Sequence, residues 1–223
     1  MKLFVTGTDT GVGKTVVSAV LIDLLKKNSS RIAYYKPIQT GAIIDGDARL
    51  SEDALAVGSL TGISDKSSQY CSYILTEPMS PYQSALKDGV EISIDKILSD
   101  YNELSSTHDH VIIEGAGGLY VPITETVNML DLIERMNAKV ILVTRPGLGT
   151  INHSVLSIKA LQTRELDLLG YIVNKYPQKE DETMIILENP EMITKFTNVK
   201  CLAKVMKSDL PQLDYRVLAD FIL

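Results

Sequence analysis

The stretch that decides the fold is residues 2–25, KLFVTGTDTGVGKTVVSAVLIDLL. An apolar run, a glycine-rich turn and a segment with apolar residues at helical spacing follow one another without a gap. This order is typical of a strand, a phosphate-binding loop and a helix, because glycines let backbone N–H groups converge on phosphate oxygens at the positive end of the helix. The stretch therefore predicts a nucleotide-binding α/β protein.

The loop itself, GTDTGVGKT at residues 7–15, has an unusual spacing. Phosphate loops commonly carry four residues between the first and last glycine, whereas five residues separate Gly7 from Gly13. The end of the loop keeps the expected chemistry. We expect Lys14 to reach the terminal phosphates and Thr15 to place its hydroxyl on Mg²⁺.

The rest of the chain repeats the same alternation. Short apolar runs return at 31–38, 110–118, 138–147, 168–175 and 199–205, with helical patterns between them. This predicts an α/β fold of the single-domain P-loop NTPase-like kind, with a mostly parallel sheet flanked by helices on both faces. No linker rich in proline, glycine or serine divides the sequence, so we expect one domain over residues 1–223.

The composition argues against several classes of binding partner. The 223 residues carry a net charge of −6, which argues against nucleic acid or a membrane surface as the main partner, because such binders usually present a basic patch. The two cysteines have no spacing typical of a zinc site, and no apolar run approaches the length of a membrane span. The sequence therefore favours a cytoplasmic protein.

Two carboxylates and a second lysine are candidates for the same site. Glu114 ends an apolar strand, where a carboxylate can coordinate or orient the Mg²⁺ that bridges phosphates. Asp53 could be a second such carboxylate, but it also lies where a helix start favours acidic residues. Lys36 ends the strand RIAYYK, and Pro37 breaks that strand, so its ammonium either projects into the ligand crevice or is solvated.

With these blocks assembled, the chain resembles the dethiobiotin synthetase family over essentially its whole length. That family has a lengthened phosphate loop of the form G-T-D-T-x-V-G-K-T, and Gly11 occupies the variable position here. Its lysine-proline, aspartate-alanine-leucine and E-G-A-G-G blocks correspond to 36–41, 53–55 and 114–118. EPMSP and GTINH resemble its substrate-side segments, and GYIVNK carries an asparagine that the family uses near adenine.

The resemblance implies an ATP- and Mg²⁺-dependent cyclo-ligase of biotin biosynthesis. Its substrates would be 7,8-diaminopelargonate, CO₂ or bicarbonate, and ATP. One amine would take up CO₂ as a carbamate, the carbamate would attack the γ-phosphate, and the second amine would close the ureido ring of dethiobiotin through a carbamic-phosphoric anhydride. The products would include ADP and phosphate. Family members form homodimers with the substrate near the subunit interface, which implies the same here.

The resemblance also assigns roles to residues. The catalytic lysines would be Lys36 and Lys14, and the metal would be held by Thr15, Asp53 and Glu114. The substrate would contact Lys36, Thr40, Ser80 and Asn152, the last of these across the dimer. The ATP site would comprise Thr10, Gly11, Val12, Gly13, Lys14, Thr15, Val16, Asp53, Glu114, Gly115, Ala116, Gly117, Asn174 and Lys175. Residues Val205 to Lys207 stand where many relatives have an adenine-lining proline, and would make backbone contacts.

Two other nucleotide-binding classes are alternatives. A partner-regulated P-loop ATPase of the cell-division or partitioning type shares the expected fold, but carries a second lysine in its loop at the position of Asp9. A GTPase is suggested by NKYP at 174–177, yet Pro177 replaces the aspartate that recognises guanine. Both patterns favour the ligase.

Overall fold

The computed structural model describes residues 1–27, 31–63, 71–177, 183–206 and 215–217. Its strands are β1 (Lys2–Gly7), β2 (Ile32–Tyr35), β3 (Ile38–Thr40), β4 (Ile43–Asp45), β5 (Ala48–Leu50), β6 (Tyr73–Leu75), β7 (His110–Gly118), β8 (Lys139–Thr144), β9 (Leu168–Tyr176), β10 (Cys201–Met206) and β11 (Tyr215–Val217). Its helices are α1 (Lys14–Leu25), α2 (Glu52–Thr61), α3 (Pro81–Asp88), α4 (Ile94–Thr107), α5 (Met129–Met136), α6 (Thr150–Thr163) and α7 (Met184–Thr197).

A seven-stranded sheet organises the molecule, in the order β11-β10-β9-β8-β1-β7-β2. All neighbouring strands are parallel except β11, which pairs antiparallel with β10. The predicted α/β fold with a mostly parallel sheet is confirmed. The chain leaves β1 for one side of the sheet and later returns to its other side, which makes the carboxyl end of β1 a switch point where ligands bind in such folds.

The strands are apolar throughout because helices cover both faces of the sheet. Phe4 belongs to the core beneath α4 and α5, whereas its neighbours Leu3 and Val5 belong to the core beneath α1 and α2. All three side chains are fully buried. Successive side chains of a strand point to opposite faces, so a strand covered on both sides is a continuous apolar run rather than an alternating one.

Smaller elements surround the carboxyl ends of the strands. A parallel pair, β3 with β6, and a hairpin, β4 with β5, lie outside the main sheet. The EPMSP segment at 77–81 leads directly into a helix: Ser80 is the N-cap and Pro81 the first residue of α3. No helix within the described residues is long and apolar enough to cross a membrane.

Candidate active site

The phosphate loop joins β1 to α1 and is fixed from below by β9. Gly13 has φ 90°, and a Cβ there would lie 1.8 Å from Nδ2 of Asn174, so only glycine fits. That same Nδ2 donates a hydrogen bond to the carbonyl oxygen of Val12 at 2.8 Å. Lys175, the next residue of β9, donates from Nζ to the Gly11 oxygen at 2.9 Å. The loop is thus held in shape by a strand 160 residues away in sequence.

Lys14 lies folded over this loop with little solvent around it. It is 6% exposed, and its Nζ donates to the backbone oxygen of Asp9 at 3.2 Å. Burial, and then the positive charge of Lys36, lower the pKa of Lys14 to about 8. The ammonium of Lys14 has an uncharged carbonyl as its partner, and burial destabilises its charge. It therefore gains stabilisation when an anion such as a phosphate binds beside it.

Glu114 is the buried centre of the carboxylate side of the site. Its Oε2 accepts hydrogen bonds from the hydroxyls of Ser18, at 3.1 Å, and Tyr34, at 2.9 Å. Its Oε1 accepts from Nζ of Lys36 at 3.0 Å and lies 3.0 Å from Oγ1 of Thr15. The two hydroxyls orient the carboxylate, leaving Oε1 as the atom that faces the phosphate loop.

Thr15 is placed between two carboxylates, as a metal ligand would be. Its Oγ1 lies 2.9 Å from Oδ1 of Asp53 and 3.0 Å from Oε1 of Glu114. A hydroxyl has a single proton to donate, so it can satisfy only one of these acceptors at a time. The three converging oxygens fit a small hard cation such as Mg²⁺, which needs one or two carboxylates from the protein and completes its shell with water and phosphate.

The lowered pKa of Asp53 is consistent with a role as a metal ligand. Burial raises the pKa of Asp53, but Lys36 and the hydroxyl of Thr15 outweigh burial and hold it below its ordinary value. The residues described contain no group of three or more His, Cys, Asp or Glu side chains able to hold a metal. Two carboxylates and one hydroxyl are a ligand set of the kind that Mg²⁺ uses when it also binds substrate phosphates.

Lys36 is buried among the same oxygens. Its side chain is 5% exposed, and Nζ lies 2.7 Å from Oδ2 of Asp53 and 3.0 Å from Oε1 of Glu114, with a third bond to the Gly115 oxygen at 3.2 Å. Burial lowers the pKa of Lys36, but Glu114 and Asp53 together raise it above the ordinary lysine value. The second lysine is thus firmly protonated, in contrast to Lys14.

These side chains open onto one cleft of about 550 Å³. Its lining includes most of the residues assigned from sequence: Thr10, Gly11, Gly13, Lys14, Thr15, Lys36, Thr40, Asp53, Ser80, Glu114, Ala116, Gly117 and Lys175. Five assigned residues are not among its lining: Val12, Val16, Gly115, Asn174 and Asn152. Asn174 supports the loop from beneath, and Asn152 is exposed in the first turn of α6.

Several residues of the site escaped the sequence analysis. Ser18 lies one helical turn beyond Thr15 on α1, and Tyr34 lies two residues before Lys36 on the same side of the chain. The helical and strand periods could have identified both as companions of the assigned residues. The cleft is also lined by Val121, which no motif marks, and by residues of the quoted KPIQTG and EPMSP segments to which no individual role was assigned: Ile38, Gln39, Pro78, Met79 and Pro81.

The expected adenine contacts at the C-terminal strand are only partly described. Val205 is buried on β10, which pairs with β9 next to the loop-supporting Asn174. Lys207 lies outside the described residues. No contact with a base is assigned to this strand on present geometry.

Comparisons with known proteins identify the family. A family model described as an AAA domain matches residues 1–213. The ATP-dependent dethiobiotin synthetase BioD of Caldicellulosiruptor saccharolyticus is 38% identical over 207 residues, covering 91% of this chain and 84% of that protein. The chain belongs to the dethiobiotin synthetase family. The protein of the same name from Clostridium botulinum is 30% identical over 226 residues, covering 99% of this chain and 98% of its own.

Membership of the dethiobiotin synthetase family makes the chain an ATP-dependent ligase.

Comparison with solved structures shows that the fold is shared with other P-loop proteins. A ParA family ATPase from Chlorobium tepidum superposes with a TM-score of 0.57 at 14% identity, covering 92% of this chain and 84% of its own. MinD from Pyrococcus horikoshii in complex with Mg-ADP gives 0.55 at 21% identity, covering 93% and 82%. At these identities the likeness shows a shared P-loop fold and nothing about activity.

Proposed function

We propose that residues 1–223 act as one ligase domain that converts 7,8-diaminopelargonate, CO₂ and ATP to dethiobiotin, ADP and phosphate. One observation carries the proposal: two buried lysines, a threonine hydroxyl and two carboxylates converge on a single cleft that begins at a phosphate loop. Phosphoryl transfer is catalysed mainly by positioning and by cations around the transferred group, and this cleft offers both.

The nucleotide half of the cleft is the phosphate loop. Gly11 and Gly13, with φ 72° and 90°, turn the backbone so that N–H groups can converge on phosphate oxygens at the start of α1. Lys14 would move from the Asp9 oxygen to the β- and γ-phosphates, where its charge is better compensated. Asn174 and Lys175 would act on ATP through the loop they support and, for Lys175, from the cleft wall.

Magnesium would be held by Thr15, Asp53 and Glu114, whose oxygens already converge. When bound, it would supply positive charge that neutralises negative charge on the transferring group. Around it, Glu114 would be kept in its rotamer by Ser18 and Tyr34, and Asp53 by its position in the first turn of α2. The chain's own contribution is to fix these oxygens in place.

The chemistry needs a nucleophilic oxygen, an activated carbonyl and a second amine. One amine of the substrate adds to CO₂ and loses a proton, giving a carbamate. A carbamate oxygen attacks the γ-phosphorus as the bond to the β-phosphate oxygen breaks, and ADP leaves. The second amine then attacks the carbonyl carbon of the mixed anhydride and loses a proton, the C–O bond breaks, and phosphate leaves with the carbamate oxygen that had attacked the γ-phosphorus. Lys14 and Lys36 would stabilise the negative charge on the transferred group.

The substrate would occupy the half of the cleft that is lined by residues outside the phosphate loop. Thr40 and Ser80 offer hydroxyls to its lining, and Met79 and Ile38 offer apolar surface of the kind an aliphatic chain requires. Lys36 sits between this half and the phosphate half, because it lines the cleft while bonding to Asp53 and Glu114. A carbamate bound here would lie within reach of both its ammonium and the γ-phosphate.

A homodimer would explain why Asn152 lies away from its own cleft. The surrounding surface of α6 and the neighbouring loops exposes large apolar side chains, with Tyr120 at 69%, Leu148 at 85% and Leu156 at 62% exposure. Such exposure is typical of a subunit interface. Asn152 would then contact the carboxylate tail of a substrate held mainly by the other subunit.

The reaction can be tested directly with labelled bicarbonate. Purified protein with 7,8-diaminopelargonate, ¹³C-bicarbonate, Mg²⁺ and ATP should yield a cyclic urea that carries one ¹³C atom by mass spectrometry, in equal amounts with ADP. Omitting the diamine should abolish ADP formation. Phosphate release that is indifferent to the diamine would instead support a partner-regulated ATPase.

The dimer proposal has a separate test by mixing two inactive variants. If Asn152 serves the other subunit's cleft, co-refolded Lys36→Ala and Asn152→Ala chains should recover about one quarter of wild-type activity, because each mixed dimer contains one intact cleft. If each cleft is completed by its own chain, the mixture stays as inactive as its components. Light scattering on the same samples reports the dimer.

A further inference from the structure

Lys36 uses its whole hydrogen-bonding capacity on groups of the expected metal site. An ammonium has three N–H donors, and those of Lys36 are directed to Asp53, Glu114 and the Gly115 oxygen at 2.7, 3.0 and 3.2 Å. With a side chain that is 5% exposed, Lys36 has almost no contact with solvent. It is therefore bound as a counter-ion and presents no free donor to a ligand in the cleft.

The oxygens of Glu114 are fully occupied in this arrangement. Oε2 accepts from the hydroxyls of Ser18 and Tyr34, and Oε1 contacts Lys36 and Thr15. Each carboxylate oxygen has about two lone-pair sites, so a cation can take Oε1 only if one of those neighbours gives way. Thr15 can give up its bond to Oε1 and stay in place, since its hydroxyl can turn its proton to Asp53 and offer its oxygen to the cation; what then opposes a cation at Oε1 is the charge of Lys36. Lys36 has nothing to offer a cation and is repelled by it.

We propose that Lys36 and the metal compete for the same carboxylate oxygens, so that metal loading releases the Lys36 ammonium from Asp53 and Glu114 into the cleft. This rests on the proposed metal site at Thr15, Asp53 and Glu114. Before loading, Lys36 is a built-in cation that neutralises the two carboxylates. After loading, its charge becomes available to an anionic substrate group, so the site becomes attractive to the carbamate and the γ-phosphate only when the metal is in place.

Lys14 provides a matched control for this competition. It is buried in the same cleft and its charge acts on the same carboxylates, but its hydrogen bond goes to the Asp9 backbone oxygen instead. Removing either lysine lowers the positive potential at the metal site, more strongly for Lys36 because it is in direct contact with both carboxylates. Only removal of Lys36 also vacates carboxylate oxygens.

The test is a Mg²⁺ titration of nucleotide-free protein by calorimetry, comparing wild type with Lys36→Met and Lys14→Met. We expect Lys36→Met to bind Mg²⁺ at least ~10-fold more tightly than wild type, and Lys14→Met to gain no more than about threefold from the lost charge. Equal gains in the two variants would show a simple charge effect and overturn the proposal. A Lys36→Met affinity at or below the wild-type value would overturn it as well.

A second measurement uses the wild-type protein, in case Lys36→Met does not fold. Acetic anhydride acetylates uncharged amines, and peptide mass spectrometry reports the rate at each lysine. Mg²⁺ without nucleotide should raise the rate at Lys36 severalfold and leave exposed Lys87 unchanged. A Lys36 rate that ignores Mg²⁺ would overturn the proposal. If the same preparation still forms the cyclic urea, the ligase function stands and only the competition is rejected.

Discussion

The two lysine regions of the cleft solve the problem of a buried charge in opposite ways. On the phosphate-loop side, Lys14 has a backbone carbonyl for a partner, and burial lowers its pKa to about 8. On the strand-end side, Lys36 is held by two carboxylates, which raise its pKa despite burial. The first charge is destabilised until an anion binds beside it, whereas the second is satisfied until another cation takes its partners.

The contrast explains how one cleft can handle a polyanion and a metal together. A loop whose only cation is poorly compensated attracts phosphates without first breaking an ion pair. A carboxylate pair that carries its own ammonium keeps its oxygens converged in the absence of metal, because like charges left alone would repel. Substitutions of Lys14 and Lys36 should therefore change stability in opposite directions and should affect different steps of binding and catalysis.

The largest expected difference is in stability. In metal- and nucleotide-free buffer at pH 7, Lys36→Met should lower the free energy of unfolding by about 3–5 kcal/mol, since it leaves the buried Glu114 and the partly buried Asp53 without their cation. Lys14→Met should raise it by about 1–3 kcal/mol, since it removes a charge that burial disfavours. Urea titrations measure both values. Changes of the same sign in the two variants would break the contrast.

The next effect is on catalysis. We expect Lys36→Met to lower kcat about 10²–10³-fold while the dissociation constant of ATP changes by less than about threefold, because Lys36 acts on the transferring group. Lys14→Met should impair both quantities, because Lys14 binds the phosphates. Single-turnover kinetics and equilibrium nucleotide binding separate the two. Unchanged turnover in Lys36→Met would remove Lys36 from the reaction.

Substitutions of the β9 residues that hydrogen-bond to the phosphate loop should have smaller effects than substitutions of Lys14 and Lys36. Asn174→Ala removes the buried hydrogen bond to the Val12 oxygen, and we expect it to cost about 1–3 kcal/mol of stability and to weaken ADP binding. Lys175→Met is the control, because its bond to Gly11 is at the exposed edge and should contribute under about 1 kcal/mol. Equal losses would mean that the loop is not held chiefly by Asn174.

Affinity for ADP without metal should depend on pH through Lys14. Because the pKa of Lys14 is lowered to about 8 in the free protein, its charge is lost as pH rises past that value. Binding should then weaken toward about tenfold per pH unit, while Lys14→Met gives a flatter profile. Unfolded Lys14 keeps its proton up to the ordinary lysine pKa of 10.5, so between pH 8 and 10.5 the lowered pKa of the folded protein makes wild-type stability rise with pH.

The smallest expected effect is at the start of α2. Ser51 caps this helix through Ala54 and donates to the side chain of Gln39, which lines the cleft. Ser51→Ala should cost about 1 kcal/mol of stability and raise the Mg²⁺ concentration needed for half-maximal turnover, because Asp53 lies in the first turn of that helix. Ser51→Thr should restore both. An unaltered Mg²⁺ requirement would limit Ser51 to a structural role.

The parts of the fold that were predicted from the sequence are the elements with a clear local hydrophobic pattern. The strand, glycine loop and helix of residues 2–25 and the later apolar runs lie at or near the observed elements, because a sheet covered on both faces requires continuous apolar strands. The hairpin of β4 and β5 and the antiparallel β11 were not predicted, since three-residue strands at an edge leave almost no periodic signal.

The sequence predicted which residues belong to the site better than it predicted the contacts between them. Resemblance to a family and the phosphate-loop pattern assigned Lys36, Asp53 and Glu114, but nothing in the sequence indicates that Lys36 bonds to both carboxylates, 17 and 78 residues away. Asn174 was assigned to the nucleotide, and its hydrogen bond to the loop backbone depends on the register of β9 in the sheet. Contacts of this range follow from tertiary packing and not from spacing along the chain.

The proposed ligase reaction depends most directly on phosphoryl transfer to a carbamate oxygen within this cleft. ¹⁸O-labelled bicarbonate tests that step, because the oxygen that attacks the γ-phosphorus leaves with the phosphate when the ring closes. In early turnovers, before label exchanges with water, we expect the released phosphate to carry one ¹⁸O atom whenever the carbamate is labelled. Phosphate that carries only unlabelled oxygen would show that water attacked ATP, and would contradict the ligase mechanism.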